Sequence, residues 1–415
     1  MIPSAATPAR SAGSLRAGRV LALTTLQQAG LTTIRFGLPV LAPFWRDALG
    51  ISLVQVGILL GAFDFGALLL FLPLGLLADR WGEPAVLTVG ALFTAAMAAV
   101  VAEAHGFGAL ALLLALAGLG YGSGQTAGTK AVAAAFGSRG RGIAMGIRQS
   151  GLPIGGMIAA VLVPALAGAY GWRAGILGAA GVCALTGLLC AVGLRDVGDA
   201  AVDADAGSDR RPLGAHLRGI LADAGIRRTT IVAMLLVIGQ FCYQGYLALY
   251  MVDHFGWSKH LAATLLLAVH GGGVAGRLGW GVLSDRFLGG RRTPALAWCA
   301  ALCVVFPLAL IALPRPVSVA TAAVVACAGG LLLLGWNGLY STLIMEEAGP
   351  RDAGAAMGVS MTMLYAVTFI TPPAFGWMIE RTSYAAAWIS LGVLLAVGYA
   401  VSRRIPEPER ATTGA

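Results

Sequence analysis

A run of roughly 20 mostly apolar residues is what a helix needs to cross the hydrocarbon of a bilayer. This chain supplies such runs one after another. Twelve are read, near residues 20–42, 54–77, 84–103, 107–129, 142–169, 172–194, 229–252, 259–283, 293–313, 317–341, 352–376 and 384–401. The pattern predicts an all-α membrane protein with 12 transmembrane helices, because in hydrocarbon a helix satisfies its own backbone polar groups. A composition 58% hydrophobic and only 11% charged excludes an ordinary soluble enzyme. The 59 glycines let helix backbones approach closely, as at Gly118, Gly120, Gly122 and Gly124 in the fourth span.

The chain also repeats itself at half its length. Gly75-Leu76-Leu77-Ala78-Asp79-Arg80 returns as Gly281-Val282-Leu283-Ser284-Asp285-Arg286, followed by Gly290-Arg291-Arg292, and the two aspartates are 206 residues apart. Gly137-Ser138-Arg139 with Ala144-Met145-Gly146 returns as Gly349-Pro350-Arg351 with Ala356-Met357-Gly358, at an offset of 212. Internal duplication of a many-span protein points to a transporter built from two pseudo-symmetric halves. The domain reading is a disordered tail (1–19), a six-helix half (20–194), a polar linker (195–228), a second six-helix half (229–401) and a short tail (402–415). Within the linker a surface helix is expected over Gly214 to Gly225, with Leu217, Ile220 and Leu221 turned inward.

The G-x-x-x-D-R signature between the second and third spans of each half resembles the loop motif of the major facilitator superfamily. The second copy follows that pattern well, with Gly290-Arg291-Arg292 behind it. The first departs from it, since Arg80-Trp81-Gly82 leads into Glu83-Pro84. The resemblance covers nearly the whole chain and implies the superfamily's fold, with alternating access between the halves. It also implies gating roles on the cytoplasmic side for Asp79, Arg80, Asp285, Arg286, Arg291 and Arg292, to which Arg148 is added at a comparable depth. Each motif aspartate sits at a helix C-terminus, where the dipole disfavours an anion, so each needs a basic partner or a helix N-terminus nearby.

Net charge is +9, and its distribution assigns it to topology. Of the 28 Lys and Arg, five (Arg46, Arg173, Lys259, Arg315, Arg381) fall on one side and three within spans (Arg35, Arg148, Arg277), leaving 20 on the other side. The positive-inside rule makes that side cytoplasmic, so both termini are expected in the cytoplasm of a bacterial inner membrane, without a nucleic-acid partner. All six cysteines lie within spans at spacings that offer no metal site, and they read as small packing residues. Neither a metal nor a cofactor is expected, and the chain is read as a monomer in the bilayer.

Ionisable groups inside a bilayer are costly and ask for a reason. Thr24, Gln28, Thr32 and Arg35 recur every three or four residues along the first span and so share a face. In the superfamily's arrangement the first, fourth, seventh and tenth spans line the cavity, so the resemblance puts this face at the substrate. An arginine here, with Pro43 eight residues on, also resembles organophosphate and organic-anion transporters of the superfamily. A guanidinium fork matches the two oxygens of a carboxylate. Asp64 is the only carboxylate well inside a span. From the cytoplasmic ends Arg35 and Asp64 sit at about 22 and about 20 Å of helical rise, so a salt bridge at one depth is expected. That bridge is either a permanent clasp or a pair that opens as Asp64 takes a proton or as an anion competes for Arg35.

His270 shares a face with Arg277 in the eighth span and is the second proton-coupling candidate. Arg277 resembles the eighth-span arginine of monocarboxylate transporters, although Gly273 stands where those carry an acid. Arg148, beside Gln149 and Ser150, is either a cytoplasmic-side anion contact or a snorkelling side chain. Tyr121 and Gln125, then Gln240, Tyr243 and Gln244, then Trp336, Asn337 and Tyr340 can hydrogen-bond a small polar ligand and stack on its apolar parts.

Proton-linked uptake of a small organic anion is therefore the leading expectation. Its rival is a proton-driven exporter of drugs or metabolites. Exporters of the superfamily carry G-P-x-x-G-G in the fifth span, and Gly151-Leu152-Pro153-Ile154-Gly155-Gly156 comes close in composition but lies nearer the cytoplasmic end. A non-transporting sensor would carry a signalling domain. An enzyme would need an H-E-x-x-H, a G-x-S-x-G or a clustered His/Asp set, and the spans contain none.

Overall fold

The computed structural model describes residues 9–136, 138–195, 219–220 and 222–407, and every regular element among them is helical. In chain order they are α1 (Ala9–Leu49), α2 (Leu53–Trp81), α3 (Glu83–Val101), α4 (Phe107–Gly118), α5 (Gly122–Ala135), α6 (Ser138–Gln149), α7 (Gly151–Tyr170) and α8 (Trp172–Gly193). Then follow α9 (Ala224–Phe255), α10 (Lys259–Val282), a π turn at Leu283–Phe287, α11 (Arg292–Ile311), α12 (Val319–Leu333), α13 (Asn337–Arg381) and α14 (Tyr384–Ser402).

Among the described residues, eleven helical stretches are long and apolar enough to cross a membrane, and they begin at Leu53. Helix α1 precedes them; its Gln27, Gln28, Thr32, Thr33 and Arg35 lower its hydropathy while its 41 residues exceed the needed length. The fourth span is α4 and α5 joined through a tight turn at Leu119–Tyr121, and the fifth is Ile143–Tyr170 with its joint at Ser150. Helix α13 holds two spans. It breaks at Gly349, where φ is 70° and ψ is 171°, a backbone conformation that a side chain would strain. Gly349 opens the second copy of the 212-residue repeat, so the repeat carries a chain reversal. The side chains of the first copy, from Gly137 to Gly142, lie outside the described residues.

Two ends differ from the sequence reading. Residues 9–19, expected to be disordered, are helical and run into the first span without a break. Helix α9 starts at Ala224 and not near 229, because Asp223 caps it by accepting from the Ile226 amide at 2.8 Å. Residues 196–218 of the linker, and with Leu221 half of the surface helix expected over 214–225, lie outside the described residues, while Ile220 is helical and buried.

The chain divides into two compact units, Met1–Leu41 with Ala62–Ser208, and Ala42–Gly61 with Asp209–Ala415. In the first unit α2 meets α4 with almost no side chain between them, since a Cβ on Gly66 or Gly118 would strike the carbonyl of Ala115 or Phe63. In the second unit the segment Ala42–Gly61 is strapped down by polar contacts. Arg46 meets Asp253 at 2.5 Å, Tyr384 donates to the same carboxylate at 2.7 Å, and Lys259 pairs with Asp47. Glu380 accepts from the Val54 amide at 3.1 Å, and the Tyr246 hydroxyl bridges the Leu53 and Pro372 carbonyls at 3.0 and 2.6 Å.

Large apolar side chains are exposed in both units, among them Leu69, Phe93, Leu112, Val161, Leu188, Leu308, Val324, Ile370 and Val393. So much exposed hydrocarbon on spanning-length helices requires lipid as its solvent. The protein is a multi-pass integral membrane protein. Five cysteines are buried, Cys327 is exposed on α12, and all six are free thiols.

Candidate functional site

In the first unit, the polar face of α1 meets three other helices. Arg35 engages Asp64 of α2 with both arms of its fork: Nε to Oδ1 at 2.8 Å and Nη2 to Oδ2 at 3.1 Å. Its remaining arm, Nη1, donates to the Tyr121 hydroxyl at 3.3 Å, and its Cζ lies 5.2 Å from the centre of that ring. Phe63 meets Tyr121 edge-on at 5.4 Å, closing the apolar side. The side chains of Arg35 and Asp64 are 10% and 3% exposed, so this bidentate pair lies in a low-dielectric setting. The equal depths inferred from helical rise are realised as direct contact.

One helical turn toward the α1 N-terminus, the threonines are already committed. The Thr32 hydroxyl donates back to Gln28 O at 2.7 Å and reaches Gly151 O at 3.2 Å, and Thr24 bonds Val20 O at 2.8 Å. Gln28 faces Arg148, whose Nη2 donates to Gln28 Oε1 at 3.1 Å and also to the Gly124 carbonyl. Arg148 is fully buried at the end of α6. It does not snorkel. Gln27, which spacing alone did not single out, donates from Nε2 to Leu87 O at 3.2 Å and to Ser123 Oγ at 3.4 Å. Gln125 is half-buried beside this group.

The second unit distributes its polar residues differently. Gln240 accepts from Asn337 Nδ2 at 3.3 Å, joining α9 to the start of α13. Gln244, one turn further along α9, is buried, and among the described residues neither its Oε1 nor its Nε2 has a hydrogen-bond partner. Tyr243 is turned away from these two: its hydroxyl donates to Ala326 O at 3.0 Å and its ring packs edge-on to Phe306 at 5.2 Å. Trp336 is likewise buried, donating to Leu333 O at 2.8 Å, and Tyr340 bonds Ser360 at 2.6 Å. His270 is buried on α10, and Arg277 donates from Nε to Leu334 O at 3.3 Å.

At the repeated loop, Arg292 Nη1 meets Asp285 Oδ1 at 2.5 Å and Ser284 Oγ at 3.0 Å, while its Nε approaches Glu346 at 3.7 Å. Arg291 approaches Glu407 at 3.7 Å, and Arg286 is exposed. In the first copy Arg80 is exposed, and the side chain of Asp79 lies outside the described residues. Where the second copy pairs Arg292 at the start of α11 with Glu346, the first pairs Glu83 at the start of α3 with Lys130 at 3.4 Å. The departure of Glu83 from the motif is therefore matched by an opposite charge on α5. The bridge is kept with its signs exchanged.

These features define a class: a duplicated bundle of membrane-spanning helices with buried, paired charge at mid-span and a charged loop motif in each half, which is the build of a secondary transporter. The sequence profile described as Major Facilitator Superfamily matches residues 24–372, and the chain belongs to that family. An uncharacterized MFS-type transporter of Mycobacterium tuberculosis is 30% identical over 373 residues, covering 89% of this chain and 81% of that one. A probable sulfoacetate transporter of Cupriavidus necator is 28% identical over 380 residues, 88% of each chain. Among solved structures, a bacterial homolog of the human lysosomal transporter Spinster, in an inward-facing and occupied conformation, superposes with a TM-score of 0.75 at 16% identity, covering 97% of both chains. The protein is a transporter and not an enzyme.

Proposed function

We propose that the protein moves a small organic anion, a carboxylate or sulfonate, across a bacterial inner membrane by alternating access, in a proton-coupled uptake cycle. The observation that carries this reading is the Arg35–Asp64 pair, a guanidinium fork held closed by a buried carboxylate within a span. Anion and proton then act on one switch: a proton on Asp64 releases the fork, and the fork prefers two-oxygen anions. The likeness to a probable sulfoacetate transporter supports the same chemistry, since sulfoacetate carries a carboxylate and a sulfonate. Gln240, Gln244 and Asn337 of the second half supply neutral donors and acceptors for the rest of the ligand. The excess of basic residues around the Asp285 loop supports a cytoplasmic side for that end and for both termini.

Flux into proteoliposomes of purified protein tests the reading. Labelled organic anions are expected to accumulate when the interior is alkaline, and neutral sugars are not. Extrusion of hydrophobic cations under the same gradient would instead select the exporter reading.

The ion pairs of Asp285 with Arg292 and of Glu83 with Lys130 act in gating and not in ligand affinity. Asp285→Asn removes one side of a half-exposed contact, so stability should change by less than about 1 kcal/mol. Transport should slow several-fold, with the equilibrium Kd unchanged within about threefold. A folded Asp285→Asn protein that no longer binds ligand would remove this loop from gating.

A further inference from the structure

Among the described residues Arg148 makes no ion pair, although its side chain is fully buried in the first unit. Among those residues its Nε has no hydrogen-bond partner, and neither has Nε2 of Gln28, the residue whose Oε1 it holds. Arg148 thus differs from Arg35, whose Nε and Nη2 are taken up by a carboxylate. A guanidinium buried without an anion carries a desolvation cost that its neutral partners, an amide oxygen and the Gly124 carbonyl, offset only in part. Glycines on α5 allow its close approach. A Cβ on Gly128 would lie 2.6 Å from Nη2 and 2.9 Å from Nε, and a Cβ on Gly124 would lie 3.0 Å from Gln28 Oε1. Two glycines one helical turn apart on α5 therefore let the guanidinium and Gln28 pack directly against that helix, and a methyl group on either would push them away.

We propose that Arg148 Nε and Gln28 Nε2 bind one anionic head group, carboxylate or sulfonate, of the transported solute, at a site separate from the Arg35–Asp64 pair. This rests on the organic-anion reading above and makes Arg148 a ligand-binding residue in place of the gating role that its depth implied. Gln28 takes part through both ends of its amide, its oxygen orienting Arg148 and its NH2 facing the ligand as a second donor. Because Arg35 is closed by Asp64, Arg148 is the buried arginine of this unit that is ready to receive an anion before any proton moves.

The test uses purified full-length protein with sulfoacetate, glucuronate and benzoate as probes, reading thermal stability with and without probe and flux in proteoliposomes. Removing the uncompensated charge in Arg148→Gln is expected to raise the Tm of the ligand-free protein. The same change should weaken binding of the best probe by about 10- to 100-fold, the scale of a lost charge-assisted contact. Gln28→Leu should weaken binding by about tenfold, and Gly128→Val should abolish it by displacing the guanidinium from its place against α5. A lower ligand-free Tm in Arg148→Gln together with an unchanged Kd would make Arg148 a structural clasp and overturn the proposal. If Arg148→Gln does not fold, Gly128→Val decides, since a Kd within twofold of the unsubstituted protein overturns it equally. Should the unsubstituted protein transport none of the three anions, the organic-anion reading itself fails and this site with it. Transport of an anion with unchanged affinity in all three variants removes the site alone.

Discussion

Proteoliposomes carrying Asp64→Asn are expected to exchange labelled substrate across the membrane yet to accumulate none when a proton gradient is the only driving force. The Asp64 carboxylate accepts two charge-assisted hydrogen bonds from Arg35 inside a span, one on each oxygen, whereas an asparagine is uncharged, offers an NH2 donor in place of the second oxygen and cannot take up or release a proton. An anion then reaches Arg35 without displacing a competitor, so binding and exchange survive while the link to the proton is lost. With one proton carried per anion and a gradient of one pH unit, the unsubstituted protein should concentrate substrate about tenfold. The variant should stop at equal concentrations. Breaking a buried pair by removing one partner costs about 3–5 kcal/mol in unfavourable cases. Here Tyr121 still offers its hydroxyl and ring face to the guanidinium, which softens the loss. If Asp64→Asn protein still accumulates substrate on a proton gradient alone, the coupling belongs elsewhere, and His270 is the next residue to replace. A double Arg35→Met, Asp64→Leu variant separates clasp from switch, since two apolar groups can replace a buried pair with little loss of stability. It should fold and should not transport.

The parts of this arrangement that could be read from the chain are those governed by one helix at a time. Spacing of 24, 28, 32 and 35 fixes a shared face of α1, and rise per residue from the span ends fixes the depths of Arg35 and Asp64. What spacing cannot give is which neighbour covers a given side chain. Tyr243 is drawn as a cavity residue by its place between Gln240 and Gln244, yet its ring is turned into α11 and α12, where Ala326 O satisfies its hydroxyl. Thr32 lies on the polar face but spends its hydroxyl on its own helix and on Gly151. Glu83 appears as a defect of the loop motif until Lys130 is seen opposite it, because a charge exchange leaves no trace in a single copy. The Gly124–Gly128 spacing on the fourth span was the available signal for a close approach there. Nothing in the chain says that the group approaching is a guanidinium 20 residues further on.

Arg35→Lys is expected to reduce kcat/KM for the anion by about 10- to 100-fold while leaving a folded protein, and it isolates geometry from charge. A lysine keeps the positive partner for Asp64, so no carboxylate is left buried alone and the large cost of a broken pair does not arise. What it loses is the planar fork. An ammonium cannot reproduce the parallel contacts of Nε at 2.8 Å and Nη2 at 3.1 Å, nor lie flat against the Tyr121 ring at 5.2 Å. Each charge-assisted contact missing from the anion complex is worth roughly 1.5–3 kcal/mol, which sets the expected range. The fall should appear for two-oxygen anions above all, because a carboxylate or sulfonate gains most from a bidentate donor. Transport within about twofold of the unsubstituted rate would mean that Arg35 supplies charge to Asp64 and nothing to the ligand. Recognition would then rest on Arg148 and Gln28 in this half, with the half-buried Arg277 the next arginine to test in the other.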